Sequence, residues 1–106
     1  MSKSERELRQ YRLMHDRLTA FLAGTLGIGD AISDLEGLLF ALEETPEAWI
    51  RSFQDEWTTL EAFYAIALEH GDETLPNASA PELNRAAQTM LAMVDSELGP
   101  DTDECP

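Results

Sequence analysis

The chain has 106 residues, room for one domain with one modest core and for little else. Hydrophobic residues make up 43% and charged residues 26%, which excludes a wholly disordered chain. The unusual quantity is charge: 21 acidic against 7 basic side chains, a net of −14, whose long-range field opposes nucleic acids and anionic membranes and favours a basic protein partner.

The charge is unevenly placed. Residues 1–20 hold five cations (Lys3, Arg6, Arg9, Arg12, Arg17) and three anions, whereas residues 21–106 hold only Arg51 and Arg85 against 18 anions. In that first segment Leu8, Tyr11, His15, Leu18 and Leu22, with Met14 and Phe21 beside them, recur at helical spacing and predict a helix over Glu5–Ala23 with Ser4 as its cap. Gly24-Thr25-Leu26-Gly27-Ile28-Gly29 predicts a loop, because glycine costs about 1 kcal/mol inside a helix.

A second helix is expected over Asp30–Glu43, on the stripe Ile28, Ile32, Leu35, Leu39 and Leu42. Asp30 and Asp34 suit the positive end of its dipole. At about 100° per residue, Phe40 points roughly 140° away from Leu35, among Ser33, Glu36, Gly37 and Glu44. Two readings stay open for it: an exposed anchor for a partner, or filler for a second buried face.

Thr45-Pro46-Glu47 reads as a cap with proline at the first helical position of a long third helix, Pro46–His70. Trp49, Ile50, Phe53, Trp57, Leu60, Tyr64, Ala67 and Leu68 form its apolar stripe, with Phe63 at the margin, and are expected in the core. Glu47, Arg51, Asp55, Thr58, Ala62, Ala65 and Glu69 form its outward face. Glu56 falls inside the apolar side and Glu61 on its other flank. A buried carboxylate needs a partner, and for Glu56 an arginine of the first helix is the natural one. Gly71 closes this helix, Asp72–Ala78 form a loop, and Ser79-Ala80-Pro81-Glu82 fits a capping box. A fourth helix follows to Leu98, carrying Leu83, Ala87, Met90, Leu91, Val94 and Leu98. Gly99-Pro100 stops it, and residues 100–106 read as a disordered acidic tail. The expectation is all-α: a single antiparallel four-helix bundle over residues 1–99 with a long third helix.

Chemistry is harder to find. His15 lies on an apolar stripe, where a hydrogen-bonded boundary histidine is the plainer reading, and His70 suits a helix C-terminus. No CxxC, HxxxH, HExxH or phosphate-loop spacing occurs, so no metal and no cofactor are expected. Cys105 has no cationic neighbour to activate it and no second cysteine to pair with. The charged start lacks a signal-peptide core and no run is long enough to cross a membrane, so a cytoplasmic protein is expected. The expectation is of a protein that works by its surface and is not an enzyme.

One stretch has a familiar pattern. Asp34-Leu35-Glu36-Gly37-Leu38-Leu39, Leu42-Glu43-Glu44, Pro46-Glu47-Ala48-Trp49, Phe53, Trp57-Thr58-Thr59-Leu60-Glu61, Tyr64-Ala65 and Leu68-Glu69-His70-Gly71 resemble small all-helical immunity proteins of bacterial toxin–immunity systems. The likeness covers residues 28–71 and consists mostly of packing positions. It implies a protein that binds one cognate toxin domain and blocks it. Acidity fits a basic, nucleic-acid-cleaving toxin, since opposite charge speeds encounter. Candidate contacts are Asp30, Asp34, Glu36, Phe40, Glu44, Glu47, Asp55, Asp72 and Glu73, with Phe40 as central anchor. The alternatives are an acidic adaptor or nucleic-acid mimic without a toxin, and an enzyme using Glu56 and Glu61; self-association through Phe40 is left open.

Overall fold

The computed structural model describes residues 4–69 and 80–98. They form four α-helices: α1 (Glu5–Ala23), α2 (Ile28–Phe40), α3 (Glu47–Glu69) and α4 (Pro81–Leu98). α1 packs on α2 and α4, and α3 packs on the same two, so α1 and α3 sit on a diagonal of the bundle. No strand occurs among the described residues. The expected tail, His70, Gly71, the Asp72–Ala78 loop, Ser79 and Cys105 lie outside the described residues.

The α1 boundaries follow from local chemistry. Ser4 Oγ accepts the Glu7 N–H at 3.2 Å, which satisfies one of the free donors of the first turn. At the other end Gly24 adopts φ 84°, a left-handed conformation that glycine enters without steric cost, and the Thr25 and Leu26 amides close on the Ala20 carbonyl.

α2 departs from expectation at both ends. It begins two residues earlier, at Ile28, with Gly27 as its N-cap, so Gly29 is helical rather than part of the loop. Glycine suits position 29 of the helix because a Cβ there would stand 2.8 Å from Tyr64 Oη, so the missing side chain lets α2 and α3 approach. α2 also stops three residues early, at Phe40. The Glu43 amide turns away from the helix and donates to Glu7 of α1 instead, at 2.6 Å.

α3 has 23 residues, about 34 Å at 1.5 Å each. Pro46 caps it rather than opening it: its carbonyl accepts the Trp49 and Ile50 amides at 3.1 and 3.2 Å. Trp57 Nε1 donates to the Ile32 carbonyl at 3.0 Å. With the Gly29–Tyr64 contact, this pairing makes α2 and α3 antiparallel and sets α2's first turn level with Tyr64. The last turn of α3 therefore has no α2 beside it. Leu68, expected in the core, is 57% exposed as a result. α4 opens on Pro81, with the Ala80 carbonyl accepting the Asn84 amide at 2.9 Å.

The core takes Tyr11, Met14, Leu18 and Phe21 from α1, Ile28, Leu35 and Leu39 from α2, Phe53 and Leu60 from α3, and Leu83, Ala87, Met90 and Val94 from α4. Each large member contributes about 1.5–3 kcal/mol by leaving water. α1 is rotated relative to the expected stripe. Leu8, His15 and Leu22 fall on its flanks, and the buried line is Glu7, Tyr11, Met14, Leu18 and Phe21. Trp49, Ile50, Trp57, Phe63 and Tyr64 are only partly buried against the core. Near the N-terminus of α3, Trp49 meets Tyr11 edge-on at 5.6 Å and stacks on Phe53 at 5.2 Å.

Candidate partner-binding face

The side of α2 away from its core stripe carries Ser33, Glu36, Gly37 and Phe40, all exposed. Four large apolar side chains stand exposed among the described residues, and Phe40 is the most open of them at 70%. Among the described residues it fills no second buried face. Glu36 lies one turn before it, and Glu44 and Glu47 follow in the α2–α3 connection and the first turn of α3, both exposed. An aromatic ring in water, one turn after a carboxylate on the same helix, is a feature of this surface that the packing does not explain.

The connection beside Phe40 is held in place. Glu7, 2% exposed, accepts the Glu43 amide on Oε2 at 2.6 Å and the Thr45 hydroxyl on Oε1 at 3.1 Å. A threonine hydroxyl has one proton to give, so Tyr11, which also meets Thr45 Oγ1, is the donor in that contact. The chain of donors runs Tyr11 to Thr45 to Glu7. Burial pushes the Tyr11 hydroxyl above its ordinary value of 10.0, and the carboxylates of Glu97, Glu7 and Glu44 add to the shift. Two outer contacts reinforce the same junction: Arg6 pairs with Glu43 at 2.8 Å, and the Ser4 amide reaches Glu44 Oε1 at 3.4 Å. Both oxygens of Glu7 are taken by protein donors, so the group serves as a staple between α1 and the α2–α3 connection. The sequence gives one signal for it: positions 7, 11, 14, 18 and 21 keep a strict 4–3 spacing, and Glu7 stands on that line.

The remaining candidates do not form one patch. Asp30 lies in the first turn of α2, roughly 15 Å along the axis from Phe40. Asp34 meets Arg17 Nε at 3.3 Å, and Glu47 is paired within α3 to Arg51 at 3.1 Å. Asp55 sits on the exposed face of α3, where Arg51, Thr58, Ala62, Ala65 and Glu69 are exposed with it. Asp72 and Glu73 lie outside the described residues. Phe40 and Glu36 share one face of α2, and Glu44 follows four residues after Phe40 in the exposed connection.

The expected pairing of Glu56 with an arginine of α1 does not occur. α3 and α1 are diagonal, and Glu56 is half-exposed on α3, with no ion pair among the described residues. Glu61 is exposed on the other flank and likewise has no ion pair among the described residues. His15 is a boundary histidine: its Nδ1 meets Asp95 Oδ1 at 2.8 Å, tying α1 to α4. Among the described residues no group of three or more His, Cys, Asp or Glu side chains could hold a metal ion, and no helix is long and apolar enough to cross a membrane.

Comparison with known protein families, with curated proteins and with solved structures gives no match for this chain.

Proposed function

We propose that this chain is an immunity protein that neutralises a cognate bacterial toxin domain by covering it with the α2–α3 end that carries Phe40. The observation behind the reading is the exposure of Phe40, one helical turn after Glu36 and four residues before Glu44, on a chain of net charge −14. A ring of this size left in water fits an anchor that enters an apolar recess of the partner. These carboxylates suit lysines and arginines, as on a domain that must attract phosphate groups. They add speed and orientation to the encounter more than affinity. The Glu7 staple fixes the connection before the partner arrives, which lowers the ordering cost of binding.

The test is co-expression with a candidate toxic domain taken from its own gene neighbourhood, followed by titration calorimetry of the purified pair at two salt concentrations. The expected results are restored growth, association that weakens with salt, and an affinity loss of about 30-fold or more for Phe40→Ala, in the range of an interface anchor. Tight binding that ignores both salt and Phe40→Ala would reject this face as the contact. Growth that is not restored would reject the immunity reading itself.

A further inference from the structure

We infer that the groove between α1 and α2 receives an arginine side chain of the same cationic protein partner, with its aliphatic stem over Gly37 and Leu38 and its guanidinium on Asp34. The inference deepens the reading above and rests on the partner being cationic.

The groove is shallow and open, with a volume of about 280 Å³, and is lined by Leu13, Arg17, Ser33, Asp34, Gly37 and Leu38. Leu13 is 37% exposed, so the site offers apolar surface that the described residues leave uncovered. Gly37 forms part of its α2 wall. Glycine is the least favourable helix-interior residue after proline, and two glycines occur within α2. Gly29 is explained by Tyr64, but a Cβ at Gly37 would meet nothing within 4 Å. Internal packing gives no reason for the missing side chain at Gly37; an occupant from outside does.

The chemistry of that occupant is written on the rim. Arg17 reaches Asp34 by one contact, Nε to Oδ2 at 3.3 Å, with both side chains more than two-fifths exposed. Such an exposed, single-point pair holds weakly. An incoming guanidinium that engages the carboxylate with two parallel N–H donors makes the stronger arrangement, so exchange of Arg17 for a partner's arginine is favourable. Lysine would supply one donor in that geometry. A second copy of this chain is disfavoured, because each copy carries −14. The groove thus holds the chain's own arginine as a weak stand-in for another.

The probe is the capped dipeptide acetyl-Leu-Arg-amide, titrated into the ¹⁵N-labelled protein and followed by amide shifts, with the neutral citrulline analogue as comparison. Shifts are expected at Leu13, Ser33, Gly37 and Leu38, with the citrulline peptide binding at least threefold more weakly. Gly37→Leu, which fills the groove while favouring the helix, should abolish the shifts and leave the melting temperature equal or higher. Arg17→Ala should tighten binding about three- to fivefold, and Arg9→Ala, an equal charge change on α1 away from this ion pair, should change it by less than half as much. Shifts spread evenly over the acidic surface, equal binding of the two peptides, or equal effects of Arg17→Ala and Arg9→Ala would overturn the inference. Phe40→Ala should leave the dipeptide unaffected. A failure of the groove therefore reads differently from a failure of the Phe40 face, which the calorimetry with the toxic domain tests.

Discussion

Glu7 and Glu43 lie 36 residues apart, and the carboxylate of the first accepts the backbone amide of the second at 2.6 Å. With the Thr45 hydroxyl on its other oxygen, Glu7 satisfies two donors of the α2–α3 connection from a position 2% exposed. Removing the carboxylate strands both donors and opens a hole. Glu7→Ala is expected to cost about 3 kcal/mol, in the range for breaking a buried charged contact. Glu7→Gln keeps the shape and one acceptor, and should cost about half as much. Urea denaturation of the two variants checks the order. Equal, near-zero losses would show that the connection is held by other contacts.

Tyr11 gives a prediction in pH. Its hydroxyl is raised above 10.0 chiefly by burial, so the folded state keeps the phenolic proton to higher pH than the unfolded chain does. Between the unfolded and the folded value the native state binds more protons, and stability falls as pH rises. The stabilisation is therefore whole below about pH 10 and is lost progressively above it. Tyr11→Phe removes this portion of the alkaline loss while lowering stability at pH 7 by about 1 kcal/mol for the missing hydrogen bond. Denaturation midpoints at pH 7 and pH 11 for both proteins decide it: an unchanged difference between the two pH values in Tyr11→Phe would refute the assignment.

The fold was legible in the sequence because it rests on long periodic runs, and the ends were less so because tertiary contacts set them. The stripe Ile28, Ile32, Leu35 and Leu39 is enough to place α2. Its termination at Phe40 depends on Glu7, which lies far away along the chain and looks like a surface acid of a first turn. Gly29 reads as a loop residue by propensity, whereas the Tyr64 hydroxyl that takes the place of its side chain comes from a helix far along the chain. The position of Glu56 shows the complementary limit: its angle on α3 is readable, but which helix lies opposite depends on a diagonal arrangement that no local pattern encodes. For the candidate face, the outward direction of Phe40 could be read from the helix wheel. Its exposure could not, since that depends on which neighbouring helix lies alongside α2.

The two glycines of α2 should respond in opposite ways to the same change. At Gly37 a Cβ meets nothing, so Gly37→Ala gains the helix propensity of alanine, about 0.5–1 kcal/mol. At Gly29 the Cβ stands 2.8 Å from Tyr64 Oη and 3.1 Å from Tyr64 Cζ, and the ring must shift. Gly29→Ala is expected to show no gain or a net loss of up to about 2 kcal/mol, in the range of overpacking. Adding Tyr64→Phe removes the nearer atom and should recover part of the deficit relative to Tyr64→Phe alone. Thermal melts of the three variants and that double mutant test this, and a gain in Gly29→Ala equal to that in Gly37→Ala would show that Tyr64 moves freely.

Phe40 and Phe53 separate binding from folding. Phe53 is fully buried, stacks on Trp49, and should cost about 3–5 kcal/mol when cut to alanine. Phe40 keeps 70% of its surface in water as the last residue of α2, so Phe40→Ala should change stability by no more than about 0.5 kcal/mol. A variant that folds as well as the parent and has lost its partner is the signature of a side chain kept for contact. If Phe40→Ala instead unfolds the bundle at moderate urea, the ring supports the α2–α3 connection from outside, and its exposure no longer argues for an anchor. Circular dichroism through a urea series, run beside the binding measurement on the same preparation, distinguishes the two because the folding arm requires no partner.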